Sequence, residues 1–211
     1  RLRDVCRELL DTLSDTATAF EKELALHDAL LDRCTYDNAA AEAPSPAEAY
    51  PQAFSAYGAL VQGKAVCEGY ARAMQLLLEE ADIPATVVTG FDENKRSHMW
   101  NIVTVEGRNY HLDPTWNDSS DLIRHTYFNM TSADMLLTHS LDDENFGIDT
   151  CTATAANYFT RTGAYFNTYS LEDIARVVAR EVAAGAETIE LRFSPDKLQN
   201  GSLFIRQESW F

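Results

Sequence analysis

The stretch "GKAVCEGYARAMQLLL", residues 63–78, sets Cys67 between two glycines at the head of an amphipathic run. Tyr70, Ala73, Met74, Leu77 and Leu78 recur at helical spacing, so the run predicts a helix whose buried stripe begins just after Cys67. Gly63 permits an unusual turn before it. A thiolate is the nucleophilic form of cysteine, and the partial positive charge and free amide donors of a helix start stabilise it. Such a nucleophile also needs a base, and the base needs an orienting group. Taken alone, Cys67 reads as a packed thiol, because free cysteine is a common core residue.

A second motif overlaps the same stretch. "GALVQGKA", residues 58–65, has the phosphate-loop spacing but places Ala65 where Ser or Thr should hold magnesium. No strand is predicted ahead of it, since "AYPQAFSAY" reads as loop and short helix. A nucleotide site is therefore not expected.

Downstream, "ATVVTGF" (85–91), "MWNIVTVE" (99–106) and "RNYHLDPTW" (108–116) read as three strands, the last two joined across Glu106-Gly107 as a hairpin. A tight turn there makes Val105 face Arg108 and His98 face Thr115. Asp113 becomes the diagonal neighbour of His98 at roughly 7 Å between backbones, within reach of a hydrogen bond to His98 Nδ1. A one-residue bulge would reverse the parity. His98 and Asp113 are thus the candidate base and orienting group for Cys67. A metal centre is the competing reading: His111 shares a strand face with Asp113, and the two could join His98, although no helix-borne ligand pair completes the set. The acidic runs "DENKRS" (92–97) and "LDDENFGID" (141–149) fail the calcium-loop pattern, with Phe146 where an oxygen ligand is needed. No metal or cofactor is expected.

Two helices are predicted within residues 1–34, with Val5, Leu9, Leu10 and Leu13 on one and Phe20, Leu24, His27, Leu30 and Leu31 on the other. Residues 35–51 carry three prolines and read as an irregular loop. Phe54 to Ala81 reads as helical apart from a break at Gly63. Residues 119–150 look irregular, with a short helix near "SADMLLTH" (132–139) that Ser132 could cap. From Ser170 the pattern changes: Ser170 and Asp173 resemble a capping box, Gly185 ends the helix, and "ETIELRF" (187–193) and "GSLFIRQ" (201–207) read as strands. The expected domain map is a catalytic domain over 1–150 and a β-α-β-like extension over 151–211.

The 17 basic and 33 acidic residues give a net charge of −16, which argues against nucleic acid or anionic lipid as the main partner. No apolar run approaches the ~18 residues of a membrane span. Cys6, Cys34, Cys67 and Cys151 show no metal-knuckle or redox spacing, and a single bridge such as Cys6 to Cys34 stays open. The chain begins Arg-Leu-Arg without an initiator Met, as a fragment of a longer precursor would.

Three segments in order carry a family resemblance: "YGALVQGKAVCEGYARAMQLLLEEADIPATVVTG", "HMWNIVTVEGRNYHLDPTW" and "HTYFNM", with "HDALLDRCTYD" ahead of them. The chain resembles the transglutaminase-like superfamily of papain-type cysteine enzymes, in its bacterial branch. That resemblance implies an α+β fold, with a helical N-terminal segment and a nucleophile helix packed on an antiparallel β-sheet, followed by an α/β tail. It implies Cys67 as nucleophile, His98 as general base and acid, and Asp113 as the group orienting His98. The Cys67 amide is a natural oxyanion donor, with Tyr57 or Gln62 as a second, and Trp100 and Trp116 are expected to wall the groove. The expected activity is peptide or amide hydrolysis on a protein or peptide substrate, cell-wall peptide included. Transamidation and a non-catalytic binding module are the alternatives. By family habit the protein is expected outside the cell or on its surface.

Overall fold

Side-chain caps and apolar spacing divide the chain into the elements that position Cys67. A computed structural model describes residues 1–119, 122–142, 150–186 and 188–193, and the backbone of 202–206. It divides into two compact units, Arg1–Thr154 and Ala155–Phe211. In the first, helices Leu2–Leu10 and Ala19–Arg33 form as the spacing predicts. Thr18 Oγ1 accepts the N–H of Glu21, and the Glu21 carboxylate accepts the N–H of Thr18, satisfying donors that a helix start leaves open. The second helix buries Phe20, Leu26, Leu30 and Leu31 together with His27 of the expected stripe, and against the apolar pattern it also buries Glu23. Leu24, expected on the buried stripe, is only half-buried.

Residues 35–51 are more ordered than their prolines suggest. Thr35–Tyr36 forms a short strand parallel to Lys64–Ala65, and Asp37 caps a helical turn at Asn38–Glu42. Turns at Pro46–Ala49 and Pro51–Phe54 follow, each with proline in its first turn, where no N–H is needed. Gly58–Gln62 closes as a π-turn, so the long helix begins at Cys67 and not near Phe54. The turn Pro51–Phe54, and not a strand, leads directly into Gly58, so the phosphate-loop architecture is absent there.

The helix Cys67–Glu80 buries Tyr70, Ala71, Ala73, Met74, Leu77 and Leu78. Its start presses close to the chain before it: a Cβ on Gly69 would lie 2.5 Å from the Ala53 carbonyl oxygen and 2.7 Å from Ala65 Cβ. Only glycine fits that approach.

Strands Ala85–Asp92, Ser97–Val105 and Arg108–Leu112 pair antiparallel in chain order, and His139–Leu141 adds a fourth strand beside the first. Glu106 and Gly107 take φ of 51° and 73°, the two left-handed residues that a tight hairpin turn demands. Val105↔Arg108 through Asn101↔Leu112 follow the expected register. The third strand stops at Leu112, short of the predicted Trp116, because Asp113 caps a helical turn at Pro114–Asn117. Asn101 Nδ2 donates to the Ala71 carbonyl at 2.9 Å, clamping the Cys67 helix to the sheet. Side chains alternate along a strand, so His98, Trp100 and Ile102 share the opposite face. There Val88, Trp100 and Ile102 pack with Met130, Met135 and Cys151. The expected α+β core is the one observed.

The fourth strand was not foreseen. The helix near "SADMLLTH" covers only Ser132–Met135, and its cap is Thr131, whose Oγ1 accepts the N–H of Asp134 at 3.1 Å. Ser132 instead accepts the N–H of Cys151 at 2.9 Å.

In the second unit, Tyr165–Phe166 leads through the Ser170-capped helix Leu171–Ala183 to the parallel strand Thr188–Phe193, which pairs antiparallel with Ser202–Arg206. Phe159, Phe166, Val177, Ile189, Leu191 and Phe193 form its core. Most of the "LDDENFGID" run, at 143–149, lies outside the described residues, as do Glu187, Gly201 and Gln207 of the predicted tail strands. Among the described residues no helix is long and apolar enough to cross a membrane. All four cysteines are free thiols, Cys6 and Cys34 included.

Candidate active site

Cys67 occupies the first helical position after Val66, which offers no side-chain cap. The Tyr70 N–H to Val66 carbonyl bond, 3.1 Å, starts the ladder, so the N–H groups of Cys67, Glu68 and Gly69 lie ahead of it. Cys67 is half-buried, whereas Cys6, Cys34 and Cys151 are buried. Burial pushes the Cys34 thiol up to about 12. Accessibility thus separates Cys67 from the other thiols.

His98 lies near the start of the second strand with its side chain 7% exposed, and its Nε2 is 2.7 Å from Asp113 Oδ2. Cys67 also acts electrostatically on the ring. With Nε2 engaged by Asp113, Nδ1 is the ring nitrogen that Asp113 leaves open. The sequence reading gave Asp113 to Nδ1, and the structure corrects it: Asp113 leaves the ladder after Leu112 and meets the outer tip of the ring. Burial works against a charged His98, but the charge and hydrogen bond of Asp113, together with Cys67, outweigh it and hold the ring up to about 10.

Asp113 is fully buried and saturated with donors. Its Oδ1 caps the following turn, accepting the N–H of Thr115 at 2.9 Å and of Trp116 at 3.1 Å. Its Oδ2 takes Nε2 of His98 and, at 3.2 Å, Nε2 of His139. Burial would raise the carboxyl, yet the charge of His98 and the hydrogen bonds of both rings hold it well below the usual carboxylate range.

His139 was not singled out from the sequence. It follows a helical-looking segment and joins the site only because its strand pairs Asp92 with His139. His111, by contrast, does not join. Trp100 Nε1 donates to His111 Nδ1 at 3.0 Å, which leaves Nε2–H to donate to Ser132 Oγ at 3.0 Å. Burial and the nearby His139 push His111 down to about 4, in keeping with a ring that must stay neutral to accept the indole N–H. The metal set of His98, His111 and Asp113 is therefore not assembled.

Two other groups among the described residues bring ligand atoms within 4.8 Å: His98, Asp113 and His139, and His27, Asp28 and His125. In the first, both rings already donate to one carboxylate oxygen. In the second, Asn117 Oδ1 accepts the N–H of Tyr127 at 2.8 Å, so its Nδ2 donates to His27 Nε2 at 3.1 Å. His27 must then carry its proton on Nδ1, which it gives to Asp28 at 2.8 Å. Both groups are donor chains rather than open ligand sets.

Trp100, expected as a groove wall, is fully buried and lies 6.0 Å from His98 at 22°, a floor beneath the ring. Trp116 is half-buried, 5.9 Å from His98 and 4.4 Å from His139. Tyr57 is half-buried at the head of the π-turn, and Gln62 is exposed at its end. Among the described residues no hydrogen bond joins either to Cys67. Tyr36 was missed. Burial and the charges of Cys67 and Asp113 raise its phenol, and its strand partner Ala65 precedes Cys67 by two positions. That parallel pairing left no local signal in the sequence.

The family described as the transglutaminase-like superfamily matches residues 4–114, a span that contains Cys67, His98 and Asp113. No curated protein matches the chain. A crystal structure of a TGase aligns with a TM-score of 0.50 at 17% identity, over 60% of this chain and 35% of its own. A candidate cysteine protease from Cytophaga hutchinsonii has a TM-score of 0.43 at 15% identity, over 72% and 46% of the two chains. A candidate protease from Parabacteroides distasonis ATCC 8503 has a TM-score of 0.40 at 14% identity, over 59% and 28%. The chain spans less than half the length of each, and the first likeness is one of fold.

Proposed function

Since the chain belongs to the transglutaminase-like superfamily, we propose that Cys67, His98 and Asp113 are the catalytic triad of a cysteine-dependent acyl-transfer enzyme acting on peptide or carboxamide bonds. One observation carries this reading: a buried imidazole is held at 2.7 Å by a buried carboxylate, and the one half-buried thiol of the four, at a helix start, acts electrostatically on that ring.

Cys67 passes its proton to His98 Nδ1, and Sγ attacks the carbonyl carbon. The oxyanion meets the Cys67 N–H, which the helix ladder leaves free. Tyr36, electrostatically coupled to Cys67, joins Tyr57 and Gln62 as a candidate second donor. As the C–N bond breaks, His98 returns the proton to the departing amine, and an acyl-thioester remains on Cys67. Water, deprotonated by His98, then attacks the thioester, releasing the acid and restoring the thiol. Asp113 keeps the ring oriented and stabilises the imidazolium without taking its proton. An amine in place of water would give a new amide through the same residues. Hydrolysis is the favoured outcome, because the sequence resembles no calcium-regulated crosslinking enzyme.

Iodoacetamide at mildly acidic pH tests the triad. Selective labelling of Cys67, lost in His98→Ala, supports it, and labelling no faster than at Cys6, Cys34 or Cys151 refutes it. Mass spectrometry of a peptide library then decides the acceptor: shortened or deamidated products mean hydrolysis, and adducts with an added amine mean transamidation.

A further inference from the structure

His139 has no part in the proton transfers above, yet it is built into their centre. Its side chain is fully buried, and its Nε2 approaches the same Asp113 oxygen that holds His98. An ionised carboxylate only accepts, so Nε2 of His139 carries the hydrogen. At the other end of the ring, Nδ1 lies 2.9 Å from Thr138 Oγ1. The rings of Trp116, Trp100, His98 and Tyr127 enclose it, with centroids 4.4, 5.1, 5.2 and 5.6 Å away. In that box the imidazole cannot swing off Asp113.

Two imidazoles therefore compete for one oxygen. Each N–H that a carboxylate accepts spreads its charge and weakens its pull on the next. Without His139, the whole pull of Oδ2 would fall on His98. The ring would then hold its proton too firmly to return it to a leaving amine, because a general acid works best when its proton affinity suits the working pH.

We propose that His139 is a positioning residue of this centre: by donating Nε2–H to Asp113 Oδ2, it limits how tightly Asp113 makes His98 hold its proton. Its value to catalysis rests on the triad reading above, but the coupling itself does not. Cys67, Asp113 and His139 face His98 from the helix, the cap and the outer strand. Tyr36 is electrostatically coupled to Cys67 and Asp113, and also to Arg96 and Asp92 at the end of the first hairpin. His111 feels His139 from the third strand.

The test is a titration of His98 by nitrogen-15 histidine NMR, with the five histidines assigned by single substitution. His139→Phe keeps a ring and removes the donor. His139→Asn, whose amide reaches only to the Nδ1 position, keeps the Thr138 contact and loses Asp113, and it serves if the Phe variant does not fold. His139→Gln places an amide near Nε2 and restores the donor. The expected result is a proton affinity of His98 raised about threefold or more in the Phe or Asn variant, and near wild type in the Gln variant. In an Asp113→Asn background the same change should move His98 no further. A folded Phe or Asn variant with an unmoved His98, or an equal shift in the Asp113→Asn background, would overturn the proposal. If Cys67 proves inert to iodoacetamide while the His98 shift is present, the acyl-transfer reading falls and the coupling stands.

Discussion

His98 Nε2 and Asp113 Oδ2 meet at 2.7 Å with side chains only 7% and 0% exposed, so the pair is shielded from solvent and from salt. Asp113→Asn would turn an amide N–H toward two imidazole donors and force His98 into the other tautomer. Turnover and Cys67 alkylation should fall by about 10²–10⁴-fold, the usual reach of positioned acid–base catalysis, with the melting temperature changed far less. A variant within a few-fold of wild type would show that Asp113 does not orient His98.

The same pair predicts an alkaline limit to stability. The ordinary value for His98 is near 6.5, and in the fold the ring is held up to about 10, so the folded state binds this proton more tightly. Its contribution is complete below about 6.5 and is lost as pH rises to about 10. Melting temperatures of the wild type should therefore approach those of His98→Gln over that window. Curves that stay parallel would place the titration elsewhere.

Glu23 acts with the opposite sign. It is fully buried, Asn129 Nδ2 donates to its Oε2 at 2.7 Å, and its Oε1 has no hydrogen-bond partner among the described residues. Burial, only partly offset by that bond, pushes the carboxyl from 4.5 up to about 8. An acid raised on folding costs stability as pH climbs from its unfolded to its folded value. Glu23→Gln should match the wild type below about pH 4.5 and exceed it above pH 8 by on the order of 1–3 kcal/mol, read from denaturant midpoints. Equal midpoints at high pH would mean that Glu23 is ionised in the fold.

Gly69→Ala would drive a methyl group into the Ala53 carbonyl and Ala65. The predicted cost is about 1–3 kcal/mol of stability, as for overpacking elsewhere. Because Gly69 lies in the first turn behind Cys67, alkylation of Cys67 should slow as well. Unchanged alkylation in a destabilised variant would mean that the helix start absorbs the shift without moving the thiol.

How far each feature could be read depends on how local its cause is. Thr18 and Glu21 sit three residues apart, Glu106-Gly107 fills one turn, and the Cys67 stripe repeats along one helix, so neighbours in the chain suffice to explain them. The short strand of Tyr36 and Ala65 is different. It is two residues long with no periodicity of its own, and it exists only because the π-turn brings Lys64 back beside Thr35. Buried Glu23 likewise breaks the apolar pattern, because its partner Asn129 arrives from far along the chain.

By itself, then, the sequence determined that Cys67 opens a helix and that, given a tight turn at Glu106-Gly107, His98 and Asp113 lie beside one another across the hairpin. Periodicity and turn chemistry act over a few residues and need nothing else. Only the tertiary structure decided that Asp113 meets Nε2 and that Trp100 is floor rather than wall. It alone decided that His139, 26 residues beyond Asp113, shares the oxygen that holds His98. Those outcomes follow from which strand joins the sheet edge and how buried donors crowd one carboxylate, and contacts between distant residues settle both.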